Sequence, residues 1–135
     1  MDTENKKFPY YNNSMTEHLG IKFLSCENNV IIAEMPVDNR TCQPYGILNG
    51  GASLALAEIT AGYGSMAICG DDRFPAGMQV SANHISSVKV GHSVLATGKL
   101  IHKGVTTHVW NVDITTPGGR LVSSVRVVNF IKKIK

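Results

Sequence analysis

Between Arg40 and Asp71 the chain carries a single formal charge, that of Glu58. The stretch around it, from about Ala52 to Ile68, is dominated by Ala, Leu, Met and Glu, with apolar residues on nearly all of its circumference. Such a composition favours a helix, and a helix apolar all round belongs inside protein rather than on its surface. The remainder of the chain must therefore wrap around this segment.

Material for the wrapping lies on both sides. Residues 21–26 (IKFLSC) and 29–37 (NVIIAEMPV) are β-rich runs joined by a polar Glu-Asn-Asn turn, which predicts a hairpin. After a turn-rich break at 69–77 (CGDDRFPAG) come four further runs, 78–90, 93–103, 105–116 and 120–133. Their short separators predict sequential antiparallel pairing, because parallel strands need crossovers of a dozen residues or more. Residues 13–20 (NSMTEHLG) offer a Ser cap, a Glu three positions on and a closing Gly, the marks of one short helix. Pro44 and Gly46 make residues 38–47 a loop. The expected class is α+β: an antiparallel sheet wrapped around one long central helix, as a single domain over 1–135 with residues 1–13 as a flexible arm.

At 135 residues the chain can bury its own core. With 43% hydrophobic and 17% charged residues it reads as a packed globule poor in surface charge, a composition that suits a subunit interface. A net charge of +3, scattered except for the terminal Ile-Lys-Lys-Ile-Lys, is too small for a nucleic-acid partner. The N-terminal residues lack the apolar core of a signal peptide and no apolar run approaches 18 residues, so a cytoplasmic protein without a membrane partner is expected. Cys26, Cys42 and Cys69 are odd in number and lack Cys-x-x-Cys spacing, which predicts reduced thiols and no metal site. His18, His92 and His102 fall at element ends as solvated residues, and His108 and Trp110 share a strand face as core residues.

The chemistry concentrates at Gly50, Gly51 and Glu58. The two glycines stand where the long helix begins, so their amides lack intrahelical acceptors and carry the positive end of the helix dipole. A tight loop-to-helix turn explains them equally well. Glu58 either reaches solvent or a distant Arg, or is a carboxylate held for use as base or nucleophile. Eight residues separate Gly50 from Glu58, about 12 Å along a helix axis, which one side chain cannot span. If both act on one carbonyl, they come from two chains paired about a two-fold axis.

The segment MPVDNRTCQPYGILNGGASLALAE, with the Ala-Asn-His strand and the Gly-Arg-Leu-x-Ser-Ser strand further on, resembles hotdog-fold acyl-CoA thioesterases. The likeness covers nearly the whole chain and lies in the small bacterial branch that includes 1,4-dihydroxy-2-naphthoyl-CoA and phenylacetate-type thioesterases. It implies a hotdog sheet around the helix, a homodimer that commonly pairs into a homotetramer, and an acyl-CoA substrate with no cofactor beyond it. By this resemblance Glu58 is the catalytic carboxylate, Gln43 a loop residue holding the thioester or water, and Gly50 the amide that polarises the carbonyl, with Gly51 beside it. His84, Ser86 and Ser87 are placed near the pantetheine or nucleotide of coenzyme A. Tyr63, with Met66, lies one to two turns beyond Glu58 and is a candidate lining for the acyl pocket, core packing being the other reading.

Two positions depart from the family pattern. Asn49 stands where the family usually writes His; a carboxamide can donate to a thioester but cannot carry a proton as imidazole does. Ser86 stands where relatives often carry Arg, leaving Lys89, Lys103 or Arg126 as candidates for the phosphates. The expected activity is thioester hydrolysis at a dimer interface. The alternatives are an acyl-CoA binding protein with little or no turnover, because of Asn49, and an acyl hydratase or dehydratase.

Overall fold

Residues Lys22–Glu27 (β1) and Val30–Pro36 (β2) pair as a hairpin whose turn residues, Asn28 and Asn29, both have positive φ, 54° and 61°. Asn tolerates this region better than most side chains, and two such residues in succession give a turn whose twist matches the strands. The computed structural model describes residues 11–134, so residues 1–10 of the expected arm lie outside the described residues. Tyr11 packs on the core and its hydroxyl donates to the carbonyl of Ile21 at 2.8 Å. The short helix is α1, Met15–His18, capped by Ser14.

The long helix, α2, runs Gly50–Ile68. It starts at the two glycines, as expected, and Asn49 caps it: the Asn49 side-chain oxygen accepts from the Gly51 amide at 2.7 Å. Four strands follow: β3 Arg73–His84, β4 Ser93–Lys103, β5 Thr107–Thr115 and β6 Leu121–Lys133. All pair antiparallel in one six-stranded sheet of order β1-β2-β4-β5-β6-β3. The sequential order expected for the last four strands is thus corrected at one place. β3 pairs with β6 at the far edge, and residues 85–92 carry the chain across the sheet to β4, which adds to β2. The expected break at 69–77 is also shorter than read, since β3 includes Arg73–Gly77. Pro75 is compatible with that assignment because β3 is an edge strand, where a missing donor can face outward.

The sheet curls its apolar face onto α2. Leu56, Ala57 and Ala61 of the helix are fully buried, as are Ile31, Ala33, Met35, Val94, Ala96, Val112, Ile114 and Val127 of the strands. Gly64 allows the closest approach: a Cβ there would stand 2.6 Å from Cη2 of Trp110. One polar cluster is sealed into this core. Trp110 Nε1 donates to Ser65 Oγ at 2.8 Å and Asn129 Nδ2 donates to the same oxygen at 3.1 Å. With its lone pairs so occupied, the Ser65 hydroxyl donates to His108 Nδ1 at 2.8 Å, which requires a neutral ring. Burial pushes the His108 pKa below its ordinary value, and Lys103 and His102 act in the same direction.

The sign of the linkage follows. The unfolded chain takes up a proton on His108 near pH 6.5, whereas the folded chain does so only at lower pH. Stability is therefore complete above about pH 6.5 and falls as the pH is lowered toward the folded value. Urea unfolding at pH 7.5 and pH 5.5 should show this loss, and the loss should shrink in His108→Gln. An equal loss in both proteins would remove His108 as its cause.

Candidate active site

The loop leading into α2 is pinned before it reaches the helix. Arg40 pairs with Asp38 at 2.6 Å, Thr41 Oγ1 donates to the carbonyl of Pro36 at 2.9 Å, and Gly46 turns the chain with φ of 78°. Antiparallel bridges then tie Cys42 to Leu48 and Ile47 to Lys89, which brings the crossing segment after β3 alongside the helix start. The side-chain oxygen of Gln43 accepts from the Tyr45 amide at 2.6 Å, leaving the Gln43 carboxamide nitrogen as a donor.

The first turn of α2 has four amides to satisfy. Gly51 donates to Asn49 Oδ1, and Ala52 and Ser53 donate to the Asn49 carbonyl at 3.0 and 3.2 Å. Among the described residues the Gly50 amide has no such acceptor. Gly50 lines a groove of about 320 Å³ whose walls include Ser53, His84, Ser86, Ser87 and Ser123. His84 ends β3, and its ring lies over Gly50: a Cβ on that glycine would stand 2.8 Å from Nε2. The other ring nitrogen, Nδ1, is 2.7 Å from Ser123 Oγ.

The groove continues through Ser87 into a basic hollow of about 260 Å³ lined by Lys89, His92 and Arg120, among others. Arg120 Nη1 donates to Ser86 Oγ at 2.6 Å and Nη2 to the Ser87 carbonyl at 3.2 Å. A guanidinium from the β5–β6 turn thus rests against Ser86 and Ser87. Of the residues expected to hold the phosphates, Lys89 lies in this hollow, Arg126 lines a different one with Ser81 and Asn83, and Lys103 lines neither. Local sequence does not bring Arg120 to this place, because its approach depends on strand register, which pairs His84 with Ser123 across β3 and β6.

The remaining expected residues divide. Asn49 and Gly51 line a separate shallow hollow with Arg40 and Ala55, and the Gly51 amide is taken up by the cap. Tyr63 does not line the groove: its ring packs 4.5 Å from that of Phe23, in the core, where burial raises its pKa. Glu58 sits two turns along α2 and is exposed on this chain, so the apolar run around it does not enclose it. Its carboxylate lies over the backbone of β3 at Gly77, where an added Cβ would overlap Oε2 and stand 3.1 Å from Cδ. Among the described residues no three His, Cys, Asp or Glu side chains converge as a metal site.

A family model described as the thioesterase superfamily matches residues 45–123, from the loop before α2 to the first residues of β6. This chain belongs to the thioesterase superfamily. A 1,4-dihydroxy-2-naphthoyl-CoA hydrolase of Listeria monocytogenes is 34% identical over 119 residues, 88% of this thioesterase and 96% of that enzyme. A proofreading thioesterase of Cronobacter sakazakii is 36% identical over 107 residues, 79% of this chain and 77% of that one. A crystal structure of a thioesterase from Haemophilus influenzae superposes with a TM-score of 0.89 at 34% identity, covering 98% of this chain and 92% of the other. The fold is the hotdog expected from the resemblance, and this thioesterase is a hydrolase of thioesters. None of the helices among the described residues is long and apolar enough to cross a membrane.

Proposed function

We propose that the protein hydrolyses an acyl-CoA thioester, aryl or alkyl, at sites shared between two copies of the chain. The observation that carries this reading is the single uncommitted amide of the α2 start, at Gly50, bordering a groove large enough for a thioester arm. An amide at a helix N-terminus is aimed at negative charge, and a thioester carbonyl acquires that charge only as it is attacked. Glu58, about 12 Å further along the same helix, cannot reach that carbonyl, so the carboxylate comes from a second copy. Glu58 then either accepts a proton from the attacking water or attacks the carbonyl itself. In both routes the C–S bond breaks, a C–O bond forms, and water is divided between the free acid and the thiol of coenzyme A. Gln43 and Asn49, whose side-chain oxygens accept from Tyr45 and Gly51, present their carboxamide nitrogens as neutral donors near the helix start.

The phosphates of coenzyme A fit the hollow of Lys89, His92 and Arg120. Replacing Arg120 by Ala is expected to raise KM for a CoA thioester about tenfold at low salt, with kcat little changed. The same thioester on pantetheine alone, which lacks the nucleotide, should show no such rise. One relative is named for 1,4-dihydroxy-2-naphthoyl-CoA and another only as a proofreading thioesterase, so the acyl preference is read from a panel of substrates. Thiol release from benzoyl-, phenylacetyl-, 1,4-dihydroxy-2-naphthoyl- and hexanoyl-CoA tests the whole reading. Turnover of one of them supports it. Binding without thiol release would favour an acyl-CoA binding protein, the reading that Asn49 suggests, and conversion of 2-hexenoyl-CoA to 3-hydroxyhexanoyl-CoA, water adding across the C2–C3 double bond with no thiol released, would favour a hydratase.

A further inference from the structure

We propose that Ser123 fixes the tautomer of His84 and thereby makes this imidazole a second N–H donor to the thioester, beside the Gly50 amide. The inference rests on the reading of the groove as a thioesterase site and gives a part in the chemistry to two residues on its β3–β6 wall. His84 and Ser123 are register partners on adjacent strands, so their side chains leave the sheet on the same face. Ser123 is 1% exposed, and among the described residues its hydroxyl has the His84 ring as side-chain partner, 2.7 Å away. A buried hydroxyl that kept its hydrogen away from its acceptor would leave a polar hydrogen unsatisfied, which buried groups avoid. The Ser123 hydroxyl therefore donates to Nδ1. A neutral imidazole that accepts at Nδ1 carries its hydrogen on Nε2.

That Nε2 stands at the helix start. The space over Gly50 that a side chain would fill, 2.8 Å from Nε2, is open only because the residue is glycine. Gly50, His84 and Ser123 all line the same groove, whereas Asn49 lines the hollow on the other side of the helix start and has its oxygen tied to Gly51. An imidazole is thus present at the groove although position 49 lacks one, and it arrives from β3. No proton needs to leave the ring: Nε2–H donates a hydrogen bond to the thioester oxygen as charge grows there. Ser123 acts through His84 and is a positioning residue.

Two measurements on the intact protein test this. Ring ¹⁵N shifts of His84 at pH 8 should show the Nε2–H tautomer in the parent and a mixture in Ser123→Ala. In steady-state hydrolysis of the fastest of the four CoA thioesters, Ser123→Ala should lower kcat about tenfold, the worth of one hydrogen bond, with KM within about twofold. Ser123→Thr, which keeps the hydroxyl, should match the parent. In a His84→Gln background, where the carboxamide donates without a tautomer to fix, Ser123→Ala should change nothing further. An Nδ1–H ring, an effect on KM alone, or equal losses in the two backgrounds would overturn the proposal. A parent with the Nε2–H ring that releases no thiol would instead refute the hydrolytic reading, and the donor role with it.

Discussion

Replacing Glu58 by Gln should lower kcat for thiol release about 10³-fold, the scale of losing a positioned base or nucleophile. The change keeps the side chain's size, and Glu58 is exposed on the chain, so the thermal midpoint should stay within a few degrees of the parent's. The carboxylate lies over Gly77, on a strand whose register shifts between Gly77 and Gln79. The absence of a side chain at that irregularity is what lets an exposed Glu rest against the sheet edge in a fixed place. Retention of more than a tenth of the parent's kcat would mean that another group drives the attack.

The second large effect is expected at Gly50, and it separates the amide from everything else about the residue. Proline is well tolerated at the first position of a helix and lacks an N–H. The preceding Asn49, at φ −75° and ψ 133°, already has the extended backbone that a following proline demands. Gly50→Pro should therefore leave α2 intact while lowering kcat by about 10²- to 10³-fold, as for loss of one oxyanion donor. Gly50→Ala adds a Cβ against His84 but keeps the amide, and should lose much less. Mixing Glu58→Gln with Gly50→Pro under conditions that exchange subunits adds a sharper result. Each mixed pair has one site with both defects and one with neither, so roughly a quarter of the parent activity should return. No recovery would place Gly50 and Glu58 on separate tasks, or both within one chain's site.

Much of this arrangement is legible in the residues, and the failures have physical causes. The apolar circumference of residues 52–68 announces an enclosed helix, and the double asparagine after Glu27 announces the β1–β2 turn; both patterns are local. What pairs with what in the second half is not local. The separators after β3 are short enough for a hairpin, and only the ladder between β3 and β6 shows that the chain crosses the sheet instead. Pro75 and Gly77 read as a break because both are poor in strands, yet an edge strand tolerates the first and a site that receives a carboxylate favours the second. Arg120 over Ser86 and Ser123 beside His84 are brought together across more than 30 residues of chain by that same ladder. Glu58 shows the limit of composition: an uncharged neighbourhood in sequence does not make a buried position in one copy of the chain.

The cap at Asn49 sets two demands on one side chain. Its oxygen closes the first turn of α2 through Gly51, a contact whose loss from a helix typically costs about 1 kcal/mol. A histidine at this position, as the family usually has, is a poorer cap but adds a group that titrates near neutrality. Exchanging one for the other alters the firmness of the helix start and the pH response of the site together. With Asn, the amide ladder that exposes Gly50 is held by a group that does not ionise, so the geometry of the donor stays constant across the physiological range of acidity.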